Sequence, residues 1–384
     1  MPVLEGRASY LRTIAQIANE RAAARPAVRT LRGSRFDLWE KDIPDSWRTA
    51  GFVQELTTAA SDVLEADPRE SLALAQLALA VATSIPPDTY PTPILAQIEG
   101  TAWKEIGTAH RYRNEFDAAL RAYDRAHRSF SSAHALSHDD AVVDFARAIL
   151  LGEMGRYQDA LDLLAAVEPM FRSFNDEGRI VKVAVLRGNI HMLQGQPQEA
   201  PPIYKRALVE VPEDDLHTRA MLNNNLGKAY SVLGDSNGAV VHLHEARQLF
   251  IALGMTVEVN RTEWNLAELL LLNGEFAKAS PILQRVRDVF LEKGLPEDAG
   301  RAGLDLAEVL IATDRAAEAR ELVVTVLREF TAANLSAYAL TALAYLRDEL
   351  PKARQPRRAV RHVREYLDRL RDEPAHLFLP LPED

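Results

Sequence analysis

Apolar residues return at intervals of three and four along almost the whole chain, interrupted by short breaks that carry Gly, Asn, Asp or Pro. That spacing predicts amphipathic helices joined by tight turns, and no strands. Residues 6–24 read as a first helix. Residues 26–48 read as irregular, with Trp39 and Trp47 available to dock on the helices that follow. Phe52 to Leu64 reads as one helix. Asp67-Pro68 starts another, with Leu72, Ala75, Leu79 and Ala82 on one face. Four prolines between Ile85 and Pro93 make the next connection stiff. Near the end, 336–349 and 356–371 read as two helices separated by Pro351 and Pro356. The apolar stretch after His376 is expected to fold back on them.

Between these flanks a segment recurs: Gly, Asn or Asp, then five residues later an Ala. It runs Asn114/Ala119, Gly155/Ala160, Gly195/Ala200, Gly234/Ala239, Gly274/Ala279 and Asp314/Ala319, with Ala-to-Ala spacings of 41, 40, 39, 40 and 40. Seven positions before each Gly, Asn or Asp stands another small residue: Gly107, Ala148, Gly188, Gly227, Ala267 and Ala307. A small residue on the first helix lets a second helix approach, and the Gly that follows suits a left-handed helix end. The period therefore predicts six helix pairs. Ser71 takes the Ala position of a degenerate pair ahead of them.

The pattern resembles the tetratricopeptide repeat. The first unit carries it at Trp103, Gly107, Phe116, Ala119, Tyr123 and Ala126. The third carries it at Gly188, Gly195, Ala200, Tyr204, Ala207 and Pro212, and the fourth at Leu226, Gly227, Tyr230, Gly234, Ala239 and Ala246. Val167, Val286 and Val326 stand where the family prefers Ala. The period exceeds the usual 34 residues, so the helices or their links are longer. In this it is similar to the repeats of kinesin light chains and of bacterial peptide-sensing regulators. The resemblance implies an all-α, right-handed superhelix whose first helices line a concave wall. The expected division is 1–48, a basic helix and irregular segment; 49–93, the degenerate pair and Pro-rich loop; 94–332, six repeats; and 333–384, capping helices and tail.

Composition changes little in this picture. The 384 residues are 47% hydrophobic and 26% charged, as in a folded protein. Zero Cys removes disulfides, Cys-based zinc sites and thiol nucleophiles. No stretch approaches a membrane span, and the N-terminus lacks the features of a secretory signal, so a cytoplasmic location is expected. Charge is uneven. Residues 1–35 carry +5 and 352–371 carry +6, which leaves −21 on the remainder of a chain of net charge −10. Basic ends either form solvated helix faces or meet an acidic partner or nucleic acid.

No phosphate loop, HExxH or GxSxG motif is present. His134 and His138 are four apart, but Ser137 to Asp140 reads as a helix start that separates them. His242 and His244 face different ways, and His191 reads as core. Neither an enzyme nor a cofactor is expected.

A binding wall is expected instead. Repeat alignment puts Asn189, Asn225 and Asn265 along it, with Lys182, Asn224, Lys228, Arg261, Trp264 and Arg301 nearby. Asn can both donate to and accept from a peptide backbone, and the cations suit a carboxylate. A protein or peptide partner in the concave groove is the leading expectation, with joint loss of Asn225 and Asn265 expected to abolish binding. A transcription-linked regulator using its basic ends is the alternative.

Overall fold

A computed structural model describes residues 2–32, 43–131, 138–333, 336–372 and 377–382, and among them regular structure is helical only. The chain divides into two compact units, residues 1–176 and 177–384. Trp39 and His134 lie outside the described residues.

The first unit holds α1 (Pro2–Leu31), α2 (Ala50–Val63), α3 (Pro68–Ser84), α4 (Thr92–Tyr112), α5 (Phe116–Ser131), α6 (His138–Glu153) and α7 (Tyr157–Ser173). Helix α1 continues through Pro26, past the break expected there. Pro26 forfeits one helical hydrogen bond, but Ile17, Ala24, Val28 and Leu31 are buried in the same core as α2 and hold the helix together. Polar contacts fix the docking. The Tyr90 hydroxyl lies 2.7 Å from both Glu20 carboxylate oxygens, and the Gly51 N–H donates to Glu20. A Cβ at Gly51 would fall 2.3 Å from the Arg21 nitrogen, so only glycine permits this approach. Trp47 stacks on Phe52 at 4.8 Å. Asp67 caps α3 by accepting from the Arg69 and Glu70 N–H groups, and Ser71 is buried at the degenerate repeat's Ala position.

The second unit holds α8 (Glu177–Leu193), α9 (Ala200–Glu210), α10 (Leu216–Val232), α11 (Ser236–Ala252), α12 (Thr256–Leu272), α13 (Phe276–Glu292), α14 (Pro296–Ala312), α15 (Ala316–Ala332), α16 (Ala337–Glu349) and α17 (Pro356–Asp372). Helices α10 to α15 are each 17 residues long and start at 20-residue intervals. The 40-residue period is therefore two 17-residue helices and two three-residue turns: the helices are long and the links are short. Gly234 shows how the turn works. It sits at φ 76°, and the next N–H, Asp235, reaches back to the Tyr230 carbonyl at 2.9 Å. Asn114 and Asp314 take the same left-handed conformation. So do Asn175, Gly254 and Gly294, which end second helices and mark a half-period of 20 that the repeat motif does not reveal.

Small residues set the packing within a pair. A Cβ on Gly188 would lie 2.3 Å from the Tyr204 ring, and one on Gly107 would lie 2.5 Å from that of Tyr123. Ala119, Ala160, Ala200, Ala239, Ala279 and Ala319 are all buried.

The last two helices reverse the order of the pairs before them. Helix α16 packs on α15, a second helix, and α17 returns to pack on α14, a first helix. Every residue of α14 from Ala299 to Leu310 is consequently buried. Ala359, Val360, Val363 and Leu367 supply the apolar part of the α17 interface. Its basic residues supply the rest. Arg364 donates to Asp305 at 2.6 Å, Arg357 and Arg361 reach Glu308 at 3.1 and 2.7 Å, and Arg301 pairs with Asp368. Partners advance along α14 as they retreat along α17, the register of an antiparallel helix pair. Phe378 of the tail lies among Tyr345, His362 and Tyr366, at 4.9–5.4 Å between ring centres.

Candidate functional site

Six of the nine residues expected on the binding wall line one cleft of about 640 Å³ in the second unit. Asn224 and Lys228 come from α10, Arg261, Trp264 and Asn265 from α12, and Arg301 from α14. Spacings of three and four put each helix's contributors on one face. The turn and first residues of α14, from Gly294 to Asp298, close the cleft. Helix α10 begins at a cap in which Asp215 accepts from the Thr218 N–H; hydrogen bonding from the Thr218 hydroxyl, and then from its N–H, holds the Asp215 carboxyl below its ordinary pKa.

The two amides bind each other. Asn265 Nδ2 donates to Asn224 Oδ1 at 2.8 Å, and the Thr262 hydroxyl approaches the same oxygen at 3.3 Å. One amide thereby keeps N–H donors and the other keeps a carbonyl acceptor, the complement of an extended peptide's backbone. The cations are anchored. Arg261 pairs with Asp298 at 2.8 Å and Glu258 at 3.1 Å, which ties α12 to α14. Arg301 lies 5.4 Å above the Trp264 ring. The Trp264 indole N–H donates to Asp305 at 2.6 Å, so its polar edge is occupied. Lys228 is exposed and is among the charges that act on Glu268. Burial pushes the Glu268 and Asp305 carboxyls up; Asp305 adds to the rise at Glu268 and Glu308 to that at Asp305, against the pull of Lys228, Arg364 and Arg301 on Glu268 and of Arg364 on Asp305.

Three expected wall residues do not line this cleft. Asn189 accepts from the Tyr204 hydroxyl at 2.7 Å and serves its own helix pair. It follows the small residue Gly188 by one position, whereas Asn225 and Asn265 precede Gly227 and Ala267 by two, so it is out of register with them. Asn225 is partly buried but does not line the cleft, which Asn224 reaches in its place. Lys182 is exposed on α8 away from it. Sequence reasoning missed Asp298, Asp305 and Asp368. The signal for Asp305 was present: it stands two positions before Ala307, in register with Asn225 and Asn265.

The histidines serve local packing. His191 is only partly buried, against the core placement expected for it, and its ring nitrogen lies 3.1 Å from Gln196. His138 begins α6 and meets Asp176 at 2.7 Å. His242 stacks on Tyr230, and burial lowers its pKa. His127 bridges Asp144 and Asp140 at 2.7 and 3.1 Å, and the bond to Asp144 raises its pKa. Among the described residues no group of three or more acidic or histidine side chains is arranged to hold a metal ion, and no helix is long and apolar enough to cross a membrane. Some of the basic residues at the ends are paired within the chain: Arg21 and Arg25 meet Glu55, and Arg357, Arg361 and Arg364 meet Glu308 and Asp305, while Arg12, Arg29, Arg354 and Arg358 are exposed.

Comparison with protein-family models and with curated proteins finds no match. Solved structures do match. Aspartyl phosphate phosphatase F from Bacillus subtilis superposes with a TM-score of 0.56 at 13% identity, over 72% of this chain and 70% of that one. A Rap protein complexed with Competence and Sporulation Factor gives 0.54 at 12%, over 92% and 99%. A signal transduction ATPase with a tetratricopeptide repeat sensor from Pyrococcus horikoshii gives 0.55 at 15%, over 90% of this chain and 52% of that one. At such identities the likeness is one of fold, and it agrees with the repeat read from the sequence. The chain is an all-α helical-repeat protein whose fold is that of tetratricopeptide-repeat solenoids.

Proposed function

We propose that the protein is a non-enzymatic binding module of a bacterial cytoplasm, which takes an extended peptide or protein segment in the cleft between α10, α12 and α14 and so regulates a complex. The observation that carries this reading is the Asn224–Asn265 pair at the cleft. Two amides in mutual contact, each with hydrogen-bonding capacity left over, suit a peptide backbone, whose donors and acceptors alternate. Trp264 adds an apolar face, and Lys228, Arg261 and Arg301 favour a segment bearing carboxylates. The likeness in fold to a Rap protein complexed with Competence and Sporulation Factor supports a binding role. The nucleic-acid alternative draws less support, because three of the C-terminal arginines that would carry it are engaged with Asp305 and Glu308.

Selection of a random peptide library on the full chain tests this. Peptides that emerge are expected to lose at least about tenfold in affinity with the Asn224→Ala/Asn265→Ala double variant, the scale of one or two hydrogen bonds. Helicity should not change. Equal affinity for the wild type and the variant would place the ligand elsewhere.

A further inference from the structure

Arg301 belongs to two systems at once. It lines the cleft, and it pairs with Asp368 of α17, which is not a cleft-lining residue. Its rung differs from the other charged rungs of the α14–α17 interface. Asp305 is 0% exposed and Glu308 1% exposed, so neither can exchange its arginines for water. In the Arg301 rung the burial is inverted: the Arg301 side chain is 9% exposed and the Asp368 side chain 44%. Arg301 also acts on the nearby Glu268, and a buried guanidinium gives up one carboxylate most cheaply when another anion takes its place, because desolvation of a charge with fewer partners is costly. A half-exposed carboxylate can turn into water at little cost.

We propose that Asp368 is an internal stand-in for a ligand carboxylate, and that an acidic segment in the cleft displaces it from Arg301. This rests on the reading of the cleft as a peptide site and adds its regulation. Exchange of one carboxylate for another leaves Arg301 paired throughout and conserves charge at the buried centre. It releases one rung of α17, while Arg364, Arg361 and the apolar face of Val360, Val363 and Leu367 keep the helix docked. Ligand occupancy is thereby reported at the C-terminal end of α17. Reciprocally, whatever holds Asp368 in place weakens the ligand, since coupling between two sites acts equally in both directions. Trp264 extends the link. It underlies Arg301 and binds Asp305, the partner of Arg364, so the cleft's aromatic wall and the α17 interface share one chain of contacts.

The test uses the full chain with two probes, fluorescein-labelled hexaglutamate amide and hexaglutamine amide. Asp368→Asn removes the competing charge and keeps the side chain's shape. Hexaglutamate is expected to bind this variant about fivefold more tightly than the wild type, the worth of one partly screened charge repulsion. Hexaglutamine should show no such gain. In the wild type, hexaglutamate should speed amide exchange over residues 365–372, and in Asp368→Asn it should add nothing. Equal hexaglutamate affinity for both proteins, with no change in exchange, overturns the displacement and leaves the peptide cleft standing. Failure of hexaglutamate to bind either protein overturns the carboxylate class, and the library-selected peptides then judge the cleft on their own.

Discussion

Arg364→Ala is expected to destabilise the second unit by about 3–5 kcal/mol, the range for stripping one partner from a buried ion pair. Arg364 is the only described cation within 4 Å of Asp305, which is fully buried, and it also stands 3.5 Å from Glu308. Without it, the Asp305 carboxylate keeps the Trp264 indole bond and loses its counter-charge. A neutral residue would tolerate this better, so the defect has a pH signature. Burial already pushes the Asp305 carboxyl above its ordinary pKa in the folded chain. A group whose folded pKa is raised favours the folded state below its unfolded value, about 3.9 for Asp, and loses that contribution as pH rises through the folded value. The gap between variant and wild type should therefore narrow as pH falls from neutral towards the ordinary Asp range. Urea melts followed by circular dichroism at several pH values measure this. Asp305→Asn placed in the Arg364→Ala background should recover part of the loss at pH 7. A gap that stays constant with pH would mean that the lost stability is packing rather than charge.

Gly188→Ala is expected to cost about 1–3 kcal/mol although alanine is the better helix former, because its added methyl meets the Tyr204 ring at 2.3 Å and that ring is buried. The chain itself suggests the remedy. Sixteen residues after the small position stands Tyr where that position is Gly107 or Gly188. Leu164, Leu283 or Val323 stands there where it is Ala148, Ala267 or Ala307. Gly227, which meets Leu243, is the exception. Tyr204→Leu is thus expected to rescue Gly188→Ala, less the bond from the Tyr204 hydroxyl to Asn189. A double-mutant cycle on thermal melts should give a coupling of about 1 kcal/mol or more in favour of the pair. Additive losses would mean that the ring and the glycine do not constrain each other.

These two sites also mark where the sequence was readable and where it was not. The Gly–Tyr and Ala–Leu pairings recur at fixed spacing, so periodicity alone exposes the repeats, their turns and the packing within a pair. The α14–α17 interface has no such period. Residues 356–371 read correctly as a helix, but the reversed order of α16 and α17 is set by which surface each covers. That surface includes Asp305 and Glu308, far away in sequence. The same long-range pairing engages three arginines of the basic end with buried carboxylates, though only Arg364 is itself largely buried. At the cleft, residue type and helix were legible while rotation about the helix was not. Asn224 and Asn225 are neighbours in sequence and about 100° apart around α10, and only the first lines the cleft. Asn189 stands three positions out of register with the other two in the repeat and does not line this cleft. Proline misled at α1, where buried side chains on both sides of Pro26 keep the helix continuous.

The central claim is that a polypeptide occupies the cleft between α10, α12 and α14. A photo-crosslinking residue placed at Lys228, on the cleft, and separately at Val209, which is 87% exposed on α9 and does not line it, tests this most directly in the chain's own cells. The account predicts a discrete polypeptide adduct from position 228, lost in the Asn224→Ala/Asn265→Ala background, and none from position 209. No adduct at position 228, or equal adducts at both positions, would contradict it.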